Sequence, residues 1–207
     1  MKEEFTEKGS EKQKALIGDF IIRFESLNDW IRFILPNIIF KKQITELELK
    51  NIETLMTDLG AEQLRTKFDS LIFDNFSSFP ELSKTNNKLS NKVSELTSIR
   101  NSIAHGTYRL GWKDFKAELS DDTFSLRHSK STKRGYKKRS KIISTKDLIE
   151  LNELLEKLAF CYKLIHIIIR NLSNHNRIDL AEKNLHALVK KIDEIDKINL
   201  KHLDVLN

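Results

Sequence analysis

Cysteine is nearly absent from this 207-residue chain, and proline and glycine are scarce. The single cysteine, Cys161, rules out an intrachain disulfide and a thiolate cage around a metal. It lies in the apolar stretch Leu158-Ala159-Phe160-Cys161-Tyr162, where it is expected to be a small buried hydrophobe on a helix. Two prolines and six glycines leave little material for the turns of a sandwich or barrel, and point instead to long helices. No apolar run approaches the roughly 20 residues needed to cross a bilayer; Ile165 to Ile169 is typical of the longest. The N-terminal segment up to Lys14 is polar and of mixed charge, without the apolar centre of a signal peptide. A cytoplasmic protein with no membrane partner is therefore expected. His128, His166, His186 and His202 show no ligand spacing with carboxylates or with Cys161, so no metal and no cofactor is expected. Walker loops, nucleophile elbows and dinucleotide fingerprints are missing as well.

What the chain has is helical periodicity and charge. Hydrophobic residues make up 39% and charged residues 32%, enough for a core beneath a heavily solvated surface. From about Gln13 to Lys42, Leu16, Phe20, Phe24, Leu27, Ile31, Ile34, Leu35 and Ile38 recur at three- and four-residue steps. Pro36 falls inside this run and is expected to kink or break it. A second helix is expected from Thr45 to Leu59, stopped by Gly60, and a third from Ala61 to Phe76. Leu89, Val93, Leu96, Ile99 and Ile103 form one stripe of a fourth helix that ends at His105-Gly106, with glycine as the stop.

Beyond Gly106 the period changes to two. Phe115, Ala117 and Leu119, then Phe124 and Leu126, alternate with polar residues around the turn Ser120-Asp121-Asp122, which predicts a β-hairpin. A third short strand is expected near Lys138 to Ile143. Ser144 with Asp147 reads as an N-cap, and helix resumes to about Asn171. After a polar break, Leu185, Leu188, Ile192 and Ile195 mark a last helix, either docked on the body or paired with another subunit. The expected architecture is mainly all-α: a helical bundle over residues 1–172 with a basic β-hairpin inserted at about 108–143, and a C-terminal helical appendage at 173–207.

The segment richest in chemistry is Ile99-Arg100-Asn101-Ser102-Ile103-Ala104-His105-Gly106. On an ideal wheel Arg100 shares the apolar arc of its helix, where a guanidinium is costly unless it is paired or faces a polar cleft. Asn101 and His105 are four apart and share a face, so Asn101 is placed to orient the imidazole. The segment resembles the HEPN family, whose mark is an arginine followed after four to six intervening residues by a histidine, often with a polar residue after the arginine. The resemblance covers roughly residues 13 to 172. It implies a helical bundle in which two protomers pair so that both arginines and both histidines line one cleft. Such pairing would resolve a difficulty of this spacing, since Arg100 and His105 lie about 140° apart on one helix. It further implies metal-independent cleavage of RNA to 2′,3′-cyclic phosphate and 5′-hydroxyl ends. His105 would serve as acid or base, Arg100 would bind the phosphate, and Asn101 would orient His105 or donate to phosphate. An antitoxin or regulatory protein is a further partner it implies. The competing readings are a non-catalytic module that binds RNA or nucleotide, and a helical interaction protein in which Arg100 and His105 are structural.

A second match, Arg170-Asn171-Leu172-Ser173-Asn174-His175, has the same three positions. The first is preferred because glycine closes it and the small Ala104 allows close approach. Tyr108 follows His105 by three, whereas toxin members of the family carry a tyrosine two residues beyond the histidine, so that role is not carried over. Finally, Arg127, Lys130, Lys133, Arg134, Lys137, Lys138, Arg139 and Lys141 crowd one acid-free stretch together with Tyr136. Most of the chain's positive excess sits here. A flexible basic loop with an aromatic suits contact with an RNA backbone and stacking on a base.

Overall fold

A computed structural model describes residues 4–40, 44–113, 119–132, 135–174 and 177–200; at 4, 128–132, 135–139 and 174 it describes the backbone alone. In chain order the described elements are β1 (Glu4–Phe5), α1 (Glu7–Phe40), α2 (Glu46–Thr57), α3 (Ala61–Asn75), α4 (Pro80–His105), β2 (Thr107–Arg109), β3 (Trp112–Lys113), β4 (Thr123–Thr132), β5 (Gly135–Ser144), α5 (Thr145–Asn174) and α6 (Ile178–Asp196). The protein is mainly helical, with a small three-stranded antiparallel sheet in the order β2-β4-β5 and a two-stranded pair β1-β3.

The chain divides into two compact units, and α1, α4 and α5 each contribute residues to both. The first unit holds residues 1–24, 95–155 and 199–207, including every strand. Its buried side chains include Phe20 and Phe24 of α1, Leu96, Ile99 and Ile103 of α4, Phe124, Leu126 and Ile143 of the sheet, and Leu148 and Leu151 of α5. The start of α5 is fixed by a reciprocal cap: the Ser144 N–H donates to Asp147 Oδ2 at 2.9 Å, and the Asp147 N–H donates to Ser144 Oγ at 3.0 Å.

Gln13 ties the loops of this unit together and is wholly buried. Its amide nitrogen lies 3.1 Å from each of three carbonyls, those of Ser120, Asp121 and Thr123. Its amide oxygen accepts from the Gly111 N–H at 2.9 Å. Gly111 adopts φ +68°, the left-handed conformation that favours glycine.

The second unit holds residues 25–94 and 156–198. Helix α1 continues through Pro36, where the sequence predicts a kink or a break. The missing hydrogen bond and ring clash cost roughly 3 kcal/mol. Ile31, Ile34, Leu35 and Ile38 around it are all buried, and each such side chain contributes about 1.5–3 kcal/mol. Packing therefore outweighs the local penalty. Gly60, expected to stop α2, instead caps the start of α3: its N–H donates to Gln63 Oε1 at 3.2 Å, while α2 ends earlier, at Thr57. Asp69 of α3 is held between α4 side chains, accepting from Asn86 Nδ2 and Ser90 Oγ at 2.6 Å each. Desolvation by burial raises its pKa despite these bonds and the nearby Arg65. Helix α6 docks inside this unit. Leu188, Ile192 and Ile195 are buried, Lys88 Nζ meets Asp193 Oδ1 at 2.8 Å, and Lys92 Nζ donates to the Ile198 carbonyl at 2.9 Å.

The long hairpin is β4 with β5, from Thr123↔Ser144 out to Thr132↔Gly135. Across Ser125–Arg127, one edge of β4 is taken by Ser140–Ile142 and the other by Thr107–Arg109. Phe115 and Ala117, in the first strand that the sequence predicts, lie outside the described residues. The expected third strand near Lys138 to Ile143 is a full partner within β5.

Candidate nucleic-acid site at the end of the fourth helix

Helix α4 ends on His105, which is exposed. Two residues on, the chain enters β2, whose partner β4 leads into the basic hairpin. Arg100 sits one and a half turns before His105 and is half-buried. Its guanidinium carbon lies 5.9 Å from the centre of the Phe24 ring, and Nη1 donates to Asn101 Oδ1 at 3.3 Å. A cation over an aromatic face is worth about 0.5–2 kcal/mol, which offsets part of the desolvation that the apolar arc imposes. Asn101 engages Arg100; among the described residues no hydrogen bond joins it to His105, the partner that the shared face predicts. Arg100 and His105 are separated by roughly 7.5 Å along the helix axis and about 140° around it.

The end of the helix is pinned to the sheet by two neighbours of His105. Gly106 has no positive φ, so its glycine is not required by a left-handed stop. It is required by space. A Cβ there would run into Leu126 Cδ1 and stand 2.8 Å from the Ser102 carbonyl oxygen. The close approach of α4 to β4 thus depends on a missing side chain. Tyr108 of β2 completes the clamp. Its hydroxyl donates to the Ile103 carbonyl, one of the acceptors left open at a helix C-terminus, and its ring lies 6.1 Å from that of Phe124. Burial pushes the Tyr108 phenol up to about 12, so it stays protonated as a donor at neutral pH.

The described basic residues fall on strands. Lys130 belongs to β4, and Tyr136, Lys137, Lys138 and Arg139 belong to β5. Lys133 and Arg134 lie outside the described residues. Arg127, the inner end of the series, is half-buried and pairs in register with both Thr107 and Ser140.

The second match to the motif belongs to the other unit. Arg170 is exposed near the end of α5, Asn171 is half-buried, and His175 lies outside the described residues. Four residues before Arg170, the His166 ring lies 4.9 Å from that of Phe33, and burial, then Arg170, lowers the His166 pKa. Burial raises the Cys161 thiol to about 12, leaving it inert as a nucleophile. Among the described residues no group of three His, Cys, Asp or Glu side chains is arranged to hold a metal ion, and no helix is long and apolar enough to cross a membrane.

Sequence inspection missed Gln13, β1, β3 and the clamping role of Tyr108. Glutamine in a charged N-terminal stretch carries no local sign that it is buried; only its distant partners reveal it. No protein-family model matches this chain, and neither a curated protein nor a solved structure matches it significantly.

Proposed function

We propose that this chain is a metal-independent endoribonuclease of the HEPN type, acting as a homodimer. The observation that carries the reading is the placing of an exposed histidine on the last turn of α4, with an arginine one and a half turns behind it and a basic hairpin rooted directly ahead. The geometry within one chain keeps Arg100 and His105 on different sides of the helix, and pairing of two copies brings each to its counterpart.

The chemistry needs only a base, an acid and a charge stabiliser, because the nucleophile is part of the RNA. One His105 takes the proton of a ribose 2′-hydroxyl. The 2′ oxygen bonds to the adjacent phosphorus as the bond to the 5′ oxygen breaks, and the partner copy's histidine protonates that leaving oxygen. The products are a 2′,3′-cyclic phosphate and a 5′-hydroxyl. Histidine suits both roles because its unperturbed titration lies near neutral pH. Arg100 offers a planar fork of donors to the phosphorane oxygens, with Asn101 holding the guanidinium. A cytoplasmic toxin or antiphage effector, restrained by an antitoxin or regulatory protein, is the setting in which such an activity belongs, and expression would then arrest growth.

The half-buried contact of Arg100 with Phe24 and Asn101 favours a second reading, an RNA-binding module in which Arg100 is structural. End-group analysis separates the two. RNA incubated with the protein in EDTA is expected to yield fragments with cyclic-phosphate ends; intact RNA that is nonetheless bound would establish the module.

A further inference from the structure

The register of the β4–β5 hairpin opposes like charges. Lys130 pairs directly with Lys137. Like charges directly opposite destabilise a sheet, so this pairing works against the hairpin. The alternation of strand residues sorts the cations further. Phe124, Leu126 and Ile143 are buried and mark the core-side face near the base of the hairpin. Two-residue steps outward from them along the same face reach Lys141, Arg139 and Lys137 on β5 and His128 and Lys130 on β4. Arg127 and Lys138 fall on the opposite face with Tyr136, Ser125, Ser129, Ser131 and Ser140. The first face therefore carries four lysine or arginine positions plus a histidine. Along β5 three of them are spaced about 6.8 Å apart, and the neighbouring strand lies about 4.8 Å away.

We infer that this core-side face, bearing Lys130, Lys137, Arg139 and Lys141, is a one-sided ladder for the phosphodiester backbone of RNA, and that the opposed cations are relieved when phosphates lie against them. The inference rests on RNA being the partner, as proposed above, and does not depend on cleavage. It assigns the binding to one face and gives the two faces opposite behaviour. Neighbouring positions in the sequence, Lys137 and Lys138, fall on different sides.

The test uses the whole 207-residue chain with His105→Ala, so that bound RNA is not cut. Binding of a fluorescent oligouridine RNA is followed by anisotropy as salt is raised. Four phosphate contacts to a single strand give a slope of about −2.8 in log K against log salt, or roughly a 50-fold loss between 50 and 200 mM. Lys137→Glu creates an opposite-charge pair with Lys130. It is expected to slow hydrogen exchange of the hairpin amides without RNA while weakening RNA binding roughly tenfold or more at 50 mM salt. Lys138→Glu changes net charge equally and is expected to weaken binding by only about threefold, the shared long-range part. Circular dichroism of each variant verifies its fold. Equal losses from the two variants would overturn the one-sided ladder while leaving RNA as partner. The same holds if exchange at the hairpin quickens in Lys137→Glu. Binding to anionic vesicles but not to RNA would overturn the assignment of the ligand. If the ladder behaves as described but wild-type protein never cleaves RNA, the inference stands and the proposed ribonuclease does not.

Discussion

Substituting Gly106 by alanine separates two accounts of why α4 ends where it does. If glycine merely stopped the helix, its removal would be harmless. The conformation there has no positive φ, and alanine restricts the unfolded chain, which would stabilise the protein by about 0.4–1 kcal/mol. The structure predicts the opposite sign. The new methyl would overlap Leu126 Cδ1 and approach the Ser102 oxygen to 2.8 Å. Leu126 is fully buried and pairs in register with Tyr108, so it has little room to turn aside, and the Ser102 oxygen is backbone. Overpacking of this kind costs about 1–3 kcal/mol. For a chain of this size that lowers the melting temperature by roughly 2–12 °C. Thermal and urea melts of Gly106→Ala, Leu126→Ala and the double variant would measure it. Leu126→Ala alone is expected to cost about 2–5 kcal/mol through its cavity. The double variant should fall short of the sum by about 1–3 kcal/mol, because the methyl enters the space vacated. A neutral or stabilised Gly106→Ala would refute the close-approach argument.

Two further outcomes follow from the loops of the same unit. Gln13→Leu keeps the volume but removes the acceptor of the Gly111 N–H and the donor to the Ser120, Asp121 and Thr123 carbonyls, at about 1–3 kcal/mol for each group left unsatisfied away from water; a clear loss of stability in urea melts is expected, with faster exchange of the Gly111 amide. The second outcome concerns pH. The Thr6 hydroxyl, then Lys113, holds Asp121 below its ordinary 3.8, and Lys12 does the same for Asp122. A depressed carboxylate contributes stability that is complete above the ordinary value and is lost as pH falls through the depressed one. Acid unfolding followed below pH 3.8 should therefore be less steep in Asp121→Asn than in wild type.

Elements decided by short-range pattern were legible in the sequence. Leu89, Val93, Leu96, Ile99 and Ile103 mark one stripe and are all buried, and the Ser144–Asp147 cap sits where its spacing placed it. Features decided by distant partners were not. Pro36 survives in α1 because of its buried neighbours, Gly106 is explained by Leu126 on another element, and Gln13 by loops about a hundred residues away. The site was half legible. The residue types and spacing of Arg100, Asn101 and His105 drew attention, but the partner of Asn101 depended on side-chain geometry. The crowding of cations from Arg127 to Lys141 was visible; which of them oppose one another needed the register.

The most direct test of the central claim compares wild type, His105→Ala and His175→Ala on mixed RNA in EDTA. The account predicts that wild type and His175→Ala both leave 2′,3′-cyclic phosphate ends and that His105→Ala leaves the RNA intact. Cleavage that persists in His105→Ala, or that disappears only in His175→Ala, would contradict it.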